Sequence, residues 1–123
     1  CYSIYMVGLV LDWIKGLGGI NAIAKINREK AQIFYDYLDS SKMFYSPVDK
    51  QFRSLMNIPF VIAEQDEEKK GELETCFVKE AAAAGLINLA GHRLVGGMRA
   101  SIYNAMPIEG VKALIQFMEK FEN

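Results

Sequence analysis

Residues 4–16 are apolar on nearly every side, from Ile4 through Leu11 and on past Asp12 and Lys15. Wound as a helix, such a run has no polar face to offer water and needs cover from other parts of a protein. The stretch from Ile4 to Leu11 is too short to span a bilayer, and Asp12 and Lys15 break the run beyond it. No basic region precedes it, so it does not read as a signal peptide. The chain starts at Cys1 and enters this run at once, which reads as the interior of a longer protein. Gly16, Gly18 and Gly19 then end the helix.

Residues 20–39 carry a second helical pattern. Ile20, Ile23, Ala24, Ala31, Phe34 and Leu38 fall on one face, interrupted by Asn27. Ser40-Ser41-Lys42 makes a turn, and Phe44-Tyr45 suits a short strand before Pro47. Residues 53–62 alternate as a strand, and Pro59, which has no amide hydrogen, places that strand at an edge or at a bulge. Asp66 is a helix N-cap followed by Glu67 and Glu68, whose charges suit the first turn. Leu73, Phe77, Ala81 and Ala84 continue one face up to Gly85, a natural residue just past a helix end. Residues 86–89 read as a short strand and 98–103 as another, with Arg99, Ser101 and Tyr103 on one face. Pro107 suits the first position of a last helix, amphipathic through Val111, Leu114, Ile115, Met118 and Phe121.

The order is α-α-β-α-β-β-α. It predicts an α/β domain of the α+β type: a small, mainly antiparallel sheet with helices packed on one side. At 123 residues the chain suits one domain with its own core. Net charge is −1 and no basic stripe stands out, so nucleic acid is not an expected partner, and neither is a membrane. Two distant cysteines, Cys1 and Cys76, make no disulfide framework, and a single His without Cys-x-x-Cys makes no zinc site. The chain reads as reduced and cytoplasmic. Trp13 reads as packing, Cys76 as a small buried apolar group, and Met6, Met56 and Met118 as core.

One segment stands apart, Gly91 to Pro107. It holds the single His, two of the arginines and a run of glycines. Glycine lets backbone approach a ligand, Arg offers a planar fork for carboxylate or phosphate, and His adds a donor. Two readings stand on these residues alone: an anion site, or a hairpin loop with solvated side chains. Arg99 favours the first, because it sits mid-strand among small apolar neighbours where an unpaired Arg is costly.

The pattern Gly91-His92-Arg93-x-x-Gly96-Gly97-x-Arg99-Ala100-Ser101-x-Tyr103-Asn104-Ala105-x-Pro107 resembles the C-terminal signature of the phosphoserine aminotransferase family. Ser3-Ile4-Tyr5, Gly18-Gly19, Asn27, Lys30-Ala31, Met56-Asn57-Ile58-Pro59-Phe60 and Glu109-Gly110-Val111 extend the resemblance over essentially the whole chain. It implies the small C-terminal domain of a fold-type I, pyridoxal-phosphate-dependent transaminase over 1–123. Residues 1–16 would be the helix leading in from a large domain.

The family's members transfer an amino group between glutamate and 3-phosphohydroxypyruvate, giving phosphoserine and 2-oxoglutarate in L-serine biosynthesis. Some bacterial members also serve pyridoxine biosynthesis, and the enzymes are homodimers. The resemblance implies that His92 and Arg93 meet the substrate phosphate and Arg99 its carboxylate. The family's Schiff-base lysine, its pyridine-pairing Asp and its ring-stacking aromatic have no counterpart motif here. Catalytic and cofactor-binding residues are therefore expected outside this chain, which would be inactive alone. The alternatives are a non-catalytic anion-binding or dimerisation module, or another class V aminotransferase such as a serine–glyoxylate type. The His-Arg pair speaks against the latter, whose substrate carries no phosphate.

Overall fold

A computed structural model describes all 123 residues. The elements run α1 (Tyr2–Gly16), α2 (Ile20–Ser40), β1 (Phe44–Tyr45), a single 3-10 turn (Lys50–Phe52), β2 (Asn57–Ile62), α3 (Glu67–Ala83), β3 (Met98–Ser101) and α4 (Ile108–Glu122).

The strands form one antiparallel sheet in the order β1-β2-β3. The strand with Pro59 is therefore central, not at an edge, and the backbone register explains why the proline is tolerated. Ile102 N–H donates to the Met56 carbonyl, which makes Asn57 and Ser101 a non-hydrogen-bonded pair. By alternation Pro59 and Arg99 are another such pair, so the missing N–H of Pro59 is not needed by β3. On the other side Ala63 N–H donates to Met43, Phe44 faces Ile62 and Tyr45 faces Val61. Continued in that register, the next hydrogen-bonded pair after Tyr45–Val61 would join Pro47 to Pro59. Neither has an amide hydrogen, and β1 stops at two residues.

Alternation sorts the faces of the sheet. Ile58, Phe60, Ile62, Met98 and Ala100 are buried, while Asn57, Pro59, Val61, Arg99 and Ser101 are only half-buried on the other face. The buried face meets α2 through Ala31, Phe34 and Leu38, α3 through Phe77 and Ala81, and α4 through Val111, Leu114 and Met118. At its centre Phe34, Phe44, Phe60 and Phe77 pack with ring centroids 5.2–6.1 Å apart. Each such pair adds about 0.5–1.5 kcal/mol to what area burial alone gives.

The helix ends follow the expected chemistry. The Asp66 carboxylate accepts from the amides of Glu68 and Lys69 at the start of α3. At its end Gly85 takes φ +89°, and Gly85 N–H and Leu86 N–H return to the carbonyls of Ala82 and Ala81, a Schellman closure. Pro107 is the N-cap of α4, one residue before the first helical position expected for it.

Residues 86–89 do not form the expected strand. Asn88 adopts φ +63°, which breaks extended backbone, and only Ala90 bridges to Met98, with Arg99 N–H donating to Leu89. The strand expected over 53–62 begins at Asn57, because the Ser54 hydroxyl accepts from the amides of Met56 and Asn57 and turns the chain there. The strand expected over 98–103 ends at Ser101. Cys76 is exposed rather than buried, its thiol against Glu80, and Met6 is exposed as well. Ile20, at the start of α2, is also exposed.

Not one residue of α1 is buried. Tyr2, Ile4, Tyr5 and Val7 are each more than half exposed, and Trp13 is exposed too. No single helix is long and apolar enough to cross a membrane.

Two polar clusters tie the elements together, one of them buried. Lys30 on α2 is fully buried, and its ammonium donates to the carbonyls of Ile102 (3.2 Å), Tyr103 (2.9 Å) and Met106 (2.8 Å). Burial lowers its pKa. Beside it, Asn27 Nδ2 donates to Asn104 Oδ1 at 2.8 Å. Together they fix the turn that follows β3. Glu122 near the chain end accepts from the amides of Lys42 and Met43 and from the hydroxyls of Ser41 and Tyr37, tying α4 to the α2–β1 turn.

Candidate functional site

The half-buried face of the sheet opens into a cavity of about 440 Å³. Arg99 on β3 and His92 on the loop before it both line this cavity. So do Asn57 on β2 and Phe52 and Ser54 from the segment ahead of β2. Arg93, next to His92, is exposed and lies outside that lining.

Arg99 reaches the cavity because of strand alternation: its neighbours Met98 and Ala100 point into the core. Its Nε is buried and has no hydrogen-bond partner in the chain. No carboxylate pairs with it either, since the ion pairs of this chain use only Asp39 and Glu64. A guanidinium buried at one nitrogen without an acceptor costs free energy that a bound anion recovers.

His92 is placed by the loop from Gly91 to Gly97. Gly91 N–H donates to the Gly97 carbonyl at 2.9 Å, and the amides of Val95 and Gly96 return to the His92 carbonyl. The closure is so tight at Gly91 that a Cβ there would overlap the carbonyl oxygens of Gly96 and Gly97. The imidazole Nδ1 accepts from Leu94 N–H at 3.2 Å, which leaves Nε2 as the free donor position of the ring.

The opposite wall is held from α2. Arg53 forks onto Asp39, Nη1 to Oδ2 at 3.0 Å and Nη2 to Oδ1 at 2.6 Å. Its guanidinium lies 4.5 Å from the centre of the Tyr35 ring, whose hydroxyl donates to the Ser54 carbonyl at 2.7 Å. Sequence reasoning missed this latch. The only local sign was an Arg just ahead of a strand.

Of the three residues read from the sequence, the structure thus gathers His92 and Arg99 into one cavity and sets Arg93 at its margin. The residues sequence reasoning did not single out for the site are Asn57, Ser54 and Phe52. Pyridoxal phosphate is anchored through a lysine amine. No lysine lines the cavity, and the amine of Lys30 is engaged by three carbonyls. The cavity residues of this chain do not fit that cofactor by themselves.

An arginine aimed from a strand of a small antiparallel sheet, beside a glycine-closed His-Arg loop, offers hydrogen-bond donors of the kind that suit an anion. The family model described as aminotransferase class-V matches residues 1–114, and the chain belongs to that family. Its relatives carry a more particular name. A phosphoserine aminotransferase of Listeria monocytogenes is 55% identical over 122 residues, which is 99% of this chain and 32% of that protein. The solved phosphoserine aminotransferase from Bacillus circulans subsp. alkalophilus superimposes with a TM-score of 0.90 at 47% identity, covering 98% of this chain and 32% of that one. A PLP-bound phosphoserine aminotransferase from Trichomonas vaginalis gives 0.84 at 36% identity, over 96% of this chain and 32% of that one. The chain spans about a third of the length of these relatives.

Proposed function

We propose that this chain is the substrate-recognition part of a phosphoserine aminotransferase. Residues 1–123 make up its small C-terminal domain, and α1 leads in from a larger cofactor-binding domain. The observation that carries this reading is the buried, unpartnered Nε of Arg99 in a cavity shared with His92. The complete protein would move an amino group between glutamate and 3-phosphohydroxypyruvate, yielding phosphoserine and 2-oxoglutarate. It would act in L-serine biosynthesis, as a cytoplasmic homodimer, with pyridoxal phosphate as cofactor. The PLP-bound relative supports that cofactor.

The cofactor, held elsewhere in the complete protein, supplies the electron sink of the chemistry. This chain binds and orients. Arg99 takes the carboxylate common to all four substrates, with its planar fork suited to two parallel hydrogen bonds. His92, with Nε2 free, and Arg93 take the phosphate of phosphoserine or 3-phosphohydroxypyruvate, and the side-chain carboxylate of glutamate less well. Fixing the two charged ends of the substrate sets the reacting carbon between them.

The two half-reactions of the complete protein, followed separately by cofactor absorbance, test these roles. Arg99→Ala is expected to weaken both, by roughly 2–5 kcal/mol if the ion pair is desolvated. Arg93→Ala is expected to lower kcat/KM for phosphoserine more than for glutamate, since discrimination is a difference between two transition states. Equal losses with Arg93→Ala, or an Arg99→Ala variant that leaves glutamate untouched, would show the roles to be wrongly assigned.

A further inference from the structure

Asn57 is the one neutral amide in the wall of the Arg99 cavity, and the fold makes little use of its side chain. Its only side-chain hydrogen bond within the chain comes from the Ser101 hydroxyl, at 3.4 Å to Oδ1. Nδ2 keeps both of its N–H groups free. Ser54, the neighbouring hydroxyl in the wall, already accepts from the amides of Met56 and Asn57.

We propose that Asn57 is a further substrate-contacting residue, donating from Nδ2 to the carboxylate that Arg99 binds, with Ser101 as its positioning residue. This rests on the transaminase reading and names a second donor at the same site. The register supplies the geometry. Asn57 pairs with Ser101 and Pro59 with Arg99, so Asn57 and Arg99 are diagonal neighbours on one face of the sheet. Diagonal positions stand about 7–8 Å apart, within reach of long side chains. One planar carboxylate between them can accept from both at about 2.9 Å. The fork of Arg99 covers one edge of the carboxylate, and its remaining lone pairs need a donor from another direction. Only Nδ2 can meet an anion, since Oδ1 accepts and a carboxylate has no proton to give, and Oδ1 is left to the Ser101 hydroxyl at 3.4 Å. A carboxylate at position 57 would instead repel it.

The test uses the complete protein with pyridoxal phosphate bound, comparing wild type with Asn57→Ala, Asn57→Asp and Ser101→Ala. KM and kcat are measured for phosphoserine with 2-oxoglutarate and for glutamate with 3-phosphohydroxypyruvate, and Tm is recorded beside them. Loss of a hydrogen bond to a charged group predicts that Asn57→Ala raises KM about tenfold for phosphoserine and glutamate alike, with kcat within about threefold. Asn57→Asp is expected to raise KM further, and Ser101→Ala about threefold, because it only frees the amide to rotate. Should Asn57→Ala fail to fold, the near-isosteric Asn57→Asp and Ser101→Ala, which leaves the Asn57 side chain in place, decide the matter. Unchanged KM in these variants overturns the proposal, as does a rise confined to phosphoserine or a fall in kcat alone. A wild-type protein that moves no amino group from phosphoserine to 2-oxoglutarate is a different failure, and it removes the transaminase reading itself.

Discussion

Arg53 grips Asp39 through both ends of its guanidinium, whose carbon sits 4.5 Å from the centre of the Tyr35 ring, and so joins the cavity wall to the last turns of α2. Hydrogen bonds from Arg53 are the main reason the Asp39 carboxyl is held at about 2. Some burial opposes them, and the charges of Arg53 and Lys50 assist. A carboxyl whose folded pKa lies below its ordinary value of 3.8 contributes stability that is present above that value and is lost as pH falls towards the folded one. Acid unfolding of the wild type is therefore expected to gain a component between about pH 4 and pH 2 that Asp39→Asn lacks. Because Asp39 is partly open to solvent, the variant should lose only about 1 kcal/mol at neutral pH. Parallel acid titrations, read by circular dichroism, check this, and identical curves refute it.

Lys30→Met keeps the buried stem but removes the ammonium from three carbonyls, that of Ile102 buried and those of Tyr103 and Met106 partly so. Exchanging a buried ion for an apolar group can be neutral when its partners leave with it, but here the carbonyls of Ile102, Tyr103 and Met106 stay behind. The expected loss is about 2–4 kcal/mol of unfolding free energy in urea. A Met variant as stable as wild type would show that the turn after β3 repacks.

Gly91→Ala is expected to open the His92 loop, because its Cβ has no room beside the carbonyls of Gly96 and Gly97. The core face of β3 does not depend on that closure, so stability should fall by only about 1–2 kcal/mol. Binding of inorganic phosphate by the complete protein, measured by calorimetry, should weaken about tenfold, as loss of one charge-assisted donor predicts. Unaltered phosphate affinity would detach the loop from anion recognition.

The 123-residue chain on its own should self-associate. Tyr2, Ile4, Tyr5 and Val7 on α1 form a solvent-facing apolar surface of the kind that drives association. Sedimentation across a concentration series should show mass rising with concentration, together with binding of a hydrophobic dye. A clean monomer that binds no dye would mean that α1 folds back onto the rest of the chain.

Both pH and packing bear on the far end of the fold as well. Burial pushes the Glu122 carboxyl up. The amide of Lys42, the hydroxyls of Ser41 and Tyr37 and the amide of Met43 outweigh that and leave it below the ordinary range. Its tether is thus kept at neutral pH and released in acid, in the same direction as Asp39.

The residues alone determined the helices, whose apolar spacing at Phe34 and Leu38 or at Leu114 and Met118 repeats every three to four positions. They determined the caps at Asp66 and Gly85, because those depend on atoms two to four residues away. They placed Arg99 on the face opposite Met98 and Ala100, since alternation is built into a strand. The chemistry of the segment from Gly91 to Pro107 was legible for the same local reason. Tertiary structure alone decided the rest. The burial of Lys30 depends on carbonyls more than seventy residues further along the chain. β2 became central because β1 and β3 both found it, and Pro59 was tolerated because its silent amide fell where neither ladder needed a donor. The run 86–89 has a strand-like composition, but Asn88 at φ +63° interrupts it, so that only Leu89 and Ala90 reach β3. Arg53 and Asp39 carry no motif that marks them, and the stretch around Asn57 that extends the family resemblance gives that side chain no role. Their roles arise from which surfaces packing brings within about 3 Å, a distance that no local period encodes.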